Sequence, residues 1–113
     1  MWFMARSVGS KPLPLREVFA KNVRFARIHV GLSQDRLALK AGLDRTFIGT
    51  LERGSRNISI DNIELVSQAV GVAAHELLDP QLAERRGFDT TLKRAARTVR
   101  LYTPERKASR KRT

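Results

Sequence analysis

The chain has 113 residues, of which 22 are Lys or Arg and 11 are Asp or Glu, so its net charge at pH 7 is +11. This length gives room for one domain with tails, and the charge favours a polyanionic partner such as a nucleic acid. The sequence has no cysteine, which excludes disulfide frameworks and thiolate metal sites.

The sequence also lacks the apolar runs that membrane proteins need. No stretch approaches the roughly 18–20 apolar residues that cross a bilayer. The first residues, MWFMARSVGSKPLPL, have no basic start followed by a long apolar stretch, so they do not resemble a cleaved signal. We therefore expect a cytoplasmic protein with no membrane partner.

Charge and apolar residues divide the chain into three segments. Residues 1–14 are predicted to be an N-terminal tail. Residues 15–80 are dense in periodic apolar positions and form the predicted domain, which Pro80 closes. Residues 81–113 are a basic C-terminal extension; residues 83–113 hold 11 Lys or Arg and 3 Asp or Glu, a net charge of +8. Most of the excess charge therefore lies outside the predicted domain.

Apolar residues at helical spacing predict five helices in the domain, and no stretch alternates as a strand does. Ser33 is the predicted N-cap of the second helix, Asp44 that of the third, and Ser59 or Asp61 that of the fourth. Glycines end the first, second and fourth helices. The predicted helices cover about residues 15–30, 34–41, 45–53, 60–70 and 73–78.

The second and third helices are joined by a turn of only about three residues, and helices joined this tightly cross steeply, as in a helix-turn-helix unit. Ala38 provides the small side chain that a close crossing needs, and Gly42 can adopt a positive φ. Ile48 and Leu51 of the third helix would fill the angle between the second and third helices. The spacing predicts a helix-turn-helix, although any five-helix bundle needs small residues at its crossings.

The third helix has an unusual outward face. Phe47, Ile48 and Leu51 would point to the core and leave a short face away from it, made of Arg45, Thr46, Gly49 and Thr50. An arginine in the first turn is unfavourable to the helix dipole, which favours a functional reason for Arg45 over a merely solvated residue. Because Gly49 has no side chain, this face would project little from the helix at that position.

Residues 18–78 resemble the Xre/Cro-type helix-turn-helix family, which includes lambdoid phage repressors. The resemblance rests on GLSQDRLALKAGLDRTFIGTLERGSRN followed by ISIDNIELVSQAVGVAAHELL. The run LDRTFIGTLERGSRNISIDNIELV is also similar to the controller proteins of restriction–modification systems. The resemblance implies an all-α, five-helix lambda-repressor-like domain, here followed by the basic extension.

The resemblance also implies which residues bind DNA, since the second helix of this motif enters the major groove. Arg45 would contact guanine O6 and N7. Thr46 and Thr50 would contact a base or a phosphate through the hydroxyl, or a thymine methyl through their own methyl. Gln34 would contact a phosphate and brace the recognition helix. Three residues at the end of the helix and in its loop would bind phosphate, unless they are only solvated loop residues. They are Arg53, Arg56 and Asn57.

Glu52 needs a different explanation, because an exposed acid on this helix would repel phosphate. The family pattern implies that it points inward and pairs with Arg27. We therefore expect a structural ion pair at these two positions.

A single unit reads only a few base pairs, so the expected partners are duplex DNA and a second copy of the chain on a palindrome. Val72, Leu77 and Leu78 would form the dimer patch or belong to the core.

In the extension, an apolar stripe predicts either a helix over residues 89–101 or a disordered basic arm that binds phosphate. The stripe consists of Phe88, Leu92, Ala95, Val99 and Tyr102.

Nothing in the sequence indicates catalysis. His29 and His75 lie on different helices without a metal-ligating neighbour, and no glycine-rich phosphate loop occurs. We expect no catalytic residue, metal or cofactor.

The leading hypothesis is a transcription regulator that occludes or contacts RNA polymerase. The alternatives are an antitoxin-like protein that neutralises a partner protein, and an RNA- or coactivator-binding module.

Overall fold

The computed structural model describes residues 13–93, and within this range the chain forms six α-helices and no strand. The predicted all-α class is confirmed, and the first five helices lie within one residue of their predicted ends. No helix in this range combines the length and the apolar character that a membrane crossing requires. The helices are α1 (Leu15–His29), α2 (Gln34–Ala41), α3 (Arg45–Glu52), α4 (Ile60–Val70), α5 (Ala74–Leu77) and α6 (Leu82–Arg86).

Side-chain caps fix the starts of two helices. The Ser33 hydroxyl accepts a hydrogen bond from the Arg36 N–H (3.0 Å), and the Ser59 hydroxyl accepts one from the Asn62 N–H (3.1 Å). Ser59, and not Asp61, is therefore the N-cap of α4. Asp44 occupies the N-cap position of α3 but makes no side-chain capping bond.

The core is built from one face of every helix. Five side chains, one from each of α1 to α5, are completely buried: Val23, Leu37, Ile48, Val66 and Leu77. Burying a side chain of this size stabilises the fold by about 1.5–3 kcal/mol. The structure assigns Val72, which is 4% exposed, to the same core, and Leu78 packs against it. Val72 and Leu77 are thus core residues and not a dimer patch.

The packed domain continues beyond Pro80, where the sequence placed its end. Leu82 of α6 is completely buried, and Phe88 is 8% exposed with its ring centre 4.6 Å from that of His29 at the end of α1. Phe88 therefore belongs to the core and not to a stripe on the extension. Residues 89–93 are not helical, and the rest of the predicted helix over residues 89–101 lies outside the described residues.

Ion pairs connect α6 to the segment before it. Arg85 pairs with Asp79 (2.7 Å), and Arg86 donates hydrogen bonds of 2.6 and 3.3 Å to the Glu76 carboxylate. The hydrogen bonds from Arg86 lower the pKa of Glu76, and the same carboxylate raises the pKa of Arg86. Because all these groups lie at the surface, the burial of Leu82 and Phe88 is the main contribution of this segment.

We predict that Leu82→Ala lowers the free energy of unfolding by about 2–5 kcal/mol, because it removes a completely buried side chain and leaves a cavity. Urea-induced unfolding followed by circular dichroism measures the loss. The control is Leu39→Ala on α2, where the side chain is 74% exposed and the change should stay within about 0.5 kcal/mol. Equal losses for the two variants would show that α6 is not part of the cooperative fold.

Candidate nucleic-acid interface

The turn between α2 and α3 directs the chain from one helix into the other. Gly42 ends α2 with φ at 74°, a left-handed conformation that favours glycine. The Leu43 N–H donates to the Ala38 carbonyl (2.9 Å) and the Gly42 N–H to the Leu39 carbonyl (3.3 Å). These two bonds form a Schellman motif. Ala38 is 4% exposed in the core cluster that it shares with Ile48 and Leu51 of α3, as the predicted crossing requires.

A buried ion pair connects α1 to α3. The Arg27 Nε lies 2.7 Å from Glu52 Oε2 and its Nη2 lies 3.0 Å from Oε1, while the two side chains are 5% and 3% exposed. Arg27 Nη1 also donates to the Leu32 carbonyl in the loop before α2 (2.8 Å). The predicted pair is confirmed, and the charge of Glu52 is turned away from the outward face of α3.

Gln34 braces this pair from α2. Its Nε2 donates to Glu52 Oε1 (3.1 Å), so the first residue of α2 is connected directly to the last residue of α3. This bond agrees with the predicted bracing role. The phosphate contact of Gln34 stays a prediction.

Gly49 is covered by neighbouring side chains and is itself buried. A Cβ atom at this position would lie 3.1 Å from Arg45 Nη1, 3.8 Å from Arg53 Nη1 and 4.0 Å from Gln34 Oε1. The expectation that the face simply projects little at Gly49 is therefore wrong. Its missing side chain makes room for the end of the Arg45 side chain, while Arg53 lies at an ordinary contact distance.

Arg45 and Thr46 are exposed in the first turn of α3. The Arg45 side chain is 54% exposed, and its Nε lies 2.8 Å from Oδ1 of Asp35 on α2. An exposed pair of this kind contributes about 0–1 kcal/mol to stability. Arg45 is thus restrained by Asp35 without being removed from solvent.

The Thr50 hydroxyl makes two hydrogen bonds inside the protein. Its hydroxyl donates to the Phe47 carbonyl (3.0 Å) and accepts from Arg56 Nε (3.0 Å). The guanidinium of Arg56 also lies over the Phe47 ring, 4.7 Å from its centre, a cation–π contact. With its proton used inside the protein, Thr50 positions Arg56. The predicted contact of Thr50 with DNA stays a prediction.

The sequence reasoning missed the contribution of Phe47, which it placed in the core alone. The ring is partly buried against the core and also carries Arg56. An aromatic residue on the helix and an arginine in the following loop were visible signals. Their contact depends on the path of the loop between them, which the spacing does not reveal.

The outward side of α3 and its following loop is therefore a short cationic surface, which we call the α3 surface. The remaining predicted residues, Arg53 and Asn57, are also exposed there. Within residues 13–93 no cluster of three or more His, Asp or Glu side chains could hold a metal ion. The α3 surface consists of Arg45, Thr46, Arg53, Arg56 and Asn57.

Comparison with known proteins identifies this arrangement. Residues 23–77 match the family model HTH_3, described as Helix-turn-helix. The chain is 46% identical over 66 residues to control protein C.BamHI of Bacillus amyloliquefaciens, in a match that covers 58% of this chain and 82% of that protein. The chain belongs to the Xre/Cro-type helix-turn-helix family. The predicted resemblance, including the similarity to restriction–modification controllers, is confirmed.

Two further matches extend the comparison. A protein described as a Neisseria hypothetical transcription factor, from Neisseria meningitidis serogroup B, is 48% identical over 66 residues; the match covers 58% of this helix-turn-helix chain and 62% of the Neisseria protein. The restriction–modification controller protein C.Esp1396I, solved as a tetramer in complex with its natural 35-base-pair operator, is 31% identical with a TM-score of 0.56. That match covers 63% of this chain and 97% of the C.Esp1396I chain.

We predict that Arg27→Met lowers the free energy of unfolding by about 3–5 kcal/mol, because it leaves the Glu52 carboxylate buried without its partner. The double variant Arg27→Met/Glu52→Leu should lose less than the sum of its two single variants, since no buried charge is then left unpaired. Urea-induced unfolding measures both effects. Arg85→Met, which removes an arginine 64% exposed, is the control and should cost at most about 1 kcal/mol. Additive losses at residues 27 and 52 would contradict the proposed coupling.

Proposed function

We propose that this helix-turn-helix protein is a transcription regulator that binds a specific double-stranded DNA operator as a dimer, with α3 in the major groove. The observation that carries the proposal is the α3 surface. Its arginines point outward, and the acid of the same helix, Glu52, is buried in a pair with Arg27. The similarity to C.Esp1396I, solved with its operator, supports this function.

The proposed roles follow from position and chemistry. Arg45 reads guanine through a bidentate contact, because its guanidinium is exposed in the first turn of α3, the part of the helix that meets base edges. Thr46, beside it, contacts a base or phosphate. Gln34 and the other residues of the α3 surface contact the DNA backbone and set the register without reading sequence. These residues are Arg53, Arg56 and Asn57. Thr50 acts by holding Arg56.

Dimerisation is proposed because one helix-turn-helix unit reaches too few bases for a specific site. Two copies would place their recognition helices about 34 Å apart on a palindrome. The tetrameric state of C.Esp1396I supports assembly of this kind of chain on DNA. Control of a restriction–modification operon, or autoregulation, is the favoured setting because of the similarity to C.BamHI and C.Esp1396I. We also propose that the protein has no catalytic role and that it lies in the cytoplasm.

Binding assays test this function directly. The protein is titrated by fluorescence anisotropy against the duplex upstream of its own gene and against a scrambled duplex of the same composition, at two salt concentrations. A preference for the upstream duplex that survives higher salt supports base readout and autoregulation. Equal affinities that both collapse with salt would indicate binding by charge alone. An antitoxin-like role would instead require a toxin gene next to this one.

We predict that Arg45→Ala weakens binding to the specific duplex by about 1–3 kcal/mol and binding to the scrambled duplex much less, because it removes a base contact. Anisotropy titrations of both duplexes measure the two changes. Arg85→Ala is a matched control, since it also removes one exposed arginine from an ion pair with an aspartate, on α6. Equal losses on both duplexes for Arg45→Ala would reduce Arg45 to a phosphate contact.

We also predict that deleting residues 104–113, which contain five Lys or Arg, weakens binding to both duplexes similarly and lowers the slope of log affinity against log salt. Each basic residue that neutralises a phosphate adds nearly one unit to that slope. A chain of unchanged length with the five residues replaced by Gln separates the loss of charge from the loss of length. An unchanged slope in both variants would place this segment away from the DNA.

A further inference from the structure

An exposed carboxylate lies at the edge of the α3 surface, where a protein that binds phosphate gains nothing from it. Asp35, the second residue of α2, is 77% exposed, and its Oδ1 lies 2.8 Å from Arg45 Nε. Ser33 already caps α2, so Asp35 is not needed for that. Its charge does suit the first turn of a helix, but that benefit does not require contact with an arginine of the next helix.

The guanidinium of Arg45 is restrained on a second side as well. Its Nη1 lies over Gly49, only 3.1 Å from where a Cβ atom would stand. Asp35 and the bare backbone at Gly49 therefore hold the guanidinium between α2 and α3. A side chain at residue 49 would change where the guanidinium points.

This restraint leaves the chemistry of base recognition intact. A guanidinium carries five N–H donors in a planar fork. A carboxylate at Nε leaves the edge formed by Nη1 and Nη2 for a second planar acceptor pair, such as guanine O6 and N7. At the same time, the negative charge of Asp35 opposes the approach of a phosphate to the same place.

We propose that Asp35 is a specificity-determining positioning residue: it orients the Arg45 guanidinium for base readout and disfavours phosphate contacts that carry no sequence information. The inference rests on the proposed DNA-binding function. Specificity is a difference between two affinities, and a repulsive group raises it when it weakens the unwanted complex more than the wanted one. Asp35 therefore acts on discrimination more than on affinity.

A double-mutant cycle tests this inference. The probes are the duplex that the wild-type full chain enriches from a randomised library and a scrambled duplex of the same composition. Each is titrated with the wild type, Asp35→Asn, Asp35→Glu, Arg45→Ala and Asp35→Asn/Arg45→Ala. Asp79→Asn is the control, because it removes one carboxylate from another Arg–Asp pair, on the segment next to α6, in which the aspartate side chain is 26% exposed.

The expected result is a loss of discrimination in Asp35→Asn. The ratio of the two affinities should fall by about two- to fivefold, the range that coupling between exposed charges produces. Binding to the scrambled duplex should tighten, and Asp35→Glu should restore much of the ratio. In the Arg45→Ala background, Asp35→Asn should leave the ratio unchanged. Asp79→Asn should leave it unchanged as well, and the melting temperature of Asp35→Asn should fall by only about a few degrees, since Asp35 is exposed and its charge only favours the helix start.

Two outcomes overturn the inference while the proposed function stands. One is an unchanged ratio in Asp35→Asn. The other is a change of the same size with and without Arg45, which would mean simple repulsion of DNA by a carboxylate. A wild-type chain that enriches no duplex over the scrambled one would instead overturn the proposed function, and the inference with it.

Discussion

The buried pair of Arg27 and Glu52 determines how α3 is presented. It connects α3 to α1 by two short contacts, and the same guanidinium donates to the Leu32 carbonyl in the α1–α2 loop. Neither charge can lose its partner without leaving the other uncompensated in a nearly dry site. Such a pair adds little net stability compared with apolar residues, but it strongly disfavours arrangements in which α3 is rotated or displaced.

The outward face of α3 depends on this fixed arrangement. A helix of eight residues is not stable alone in water, and its conformation depends on the packing of Ile48 and Leu51. Once these two face the core, Thr46 lies on the opposite side of α3, and Arg45 is exposed at the first position of the helix. The covering of Gly49 by arginine side chains follows from the same orientation. Packing on one side of α3 thus sets the chemistry on the other.

Many of the helix ends were predictable from the sequence because the signals for them are local. Ser33 as a cap and Gly42 as a left-handed helix end depend on neighbouring residues only, and both are as predicted. The extension of the domain to Leu82 and Phe88 was not predictable in the same way, since a five-residue helix shows no periodicity and the contact of Phe88 with His29 spans distant parts of the chain. The use of the Thr50 proton and the contact between Asp35 and Arg45 likewise depend on tertiary geometry.

The distribution of charge separates two properties of binding. Residues 83–113 carry a net charge of +8, whereas residues 1–82, with 11 Lys or Arg and 8 Asp or Glu, carry only +3. Attraction to any phosphate backbone grows with the number of cations near it, so we expect the extension to act on affinity for DNA of every sequence. A domain with so little excess charge binds weakly by attraction alone, and its preference depends on the few groups of the α3 surface. Asp35 beside Arg45 limits the positive charge of that surface, which favours discrimination over indiscriminate attachment.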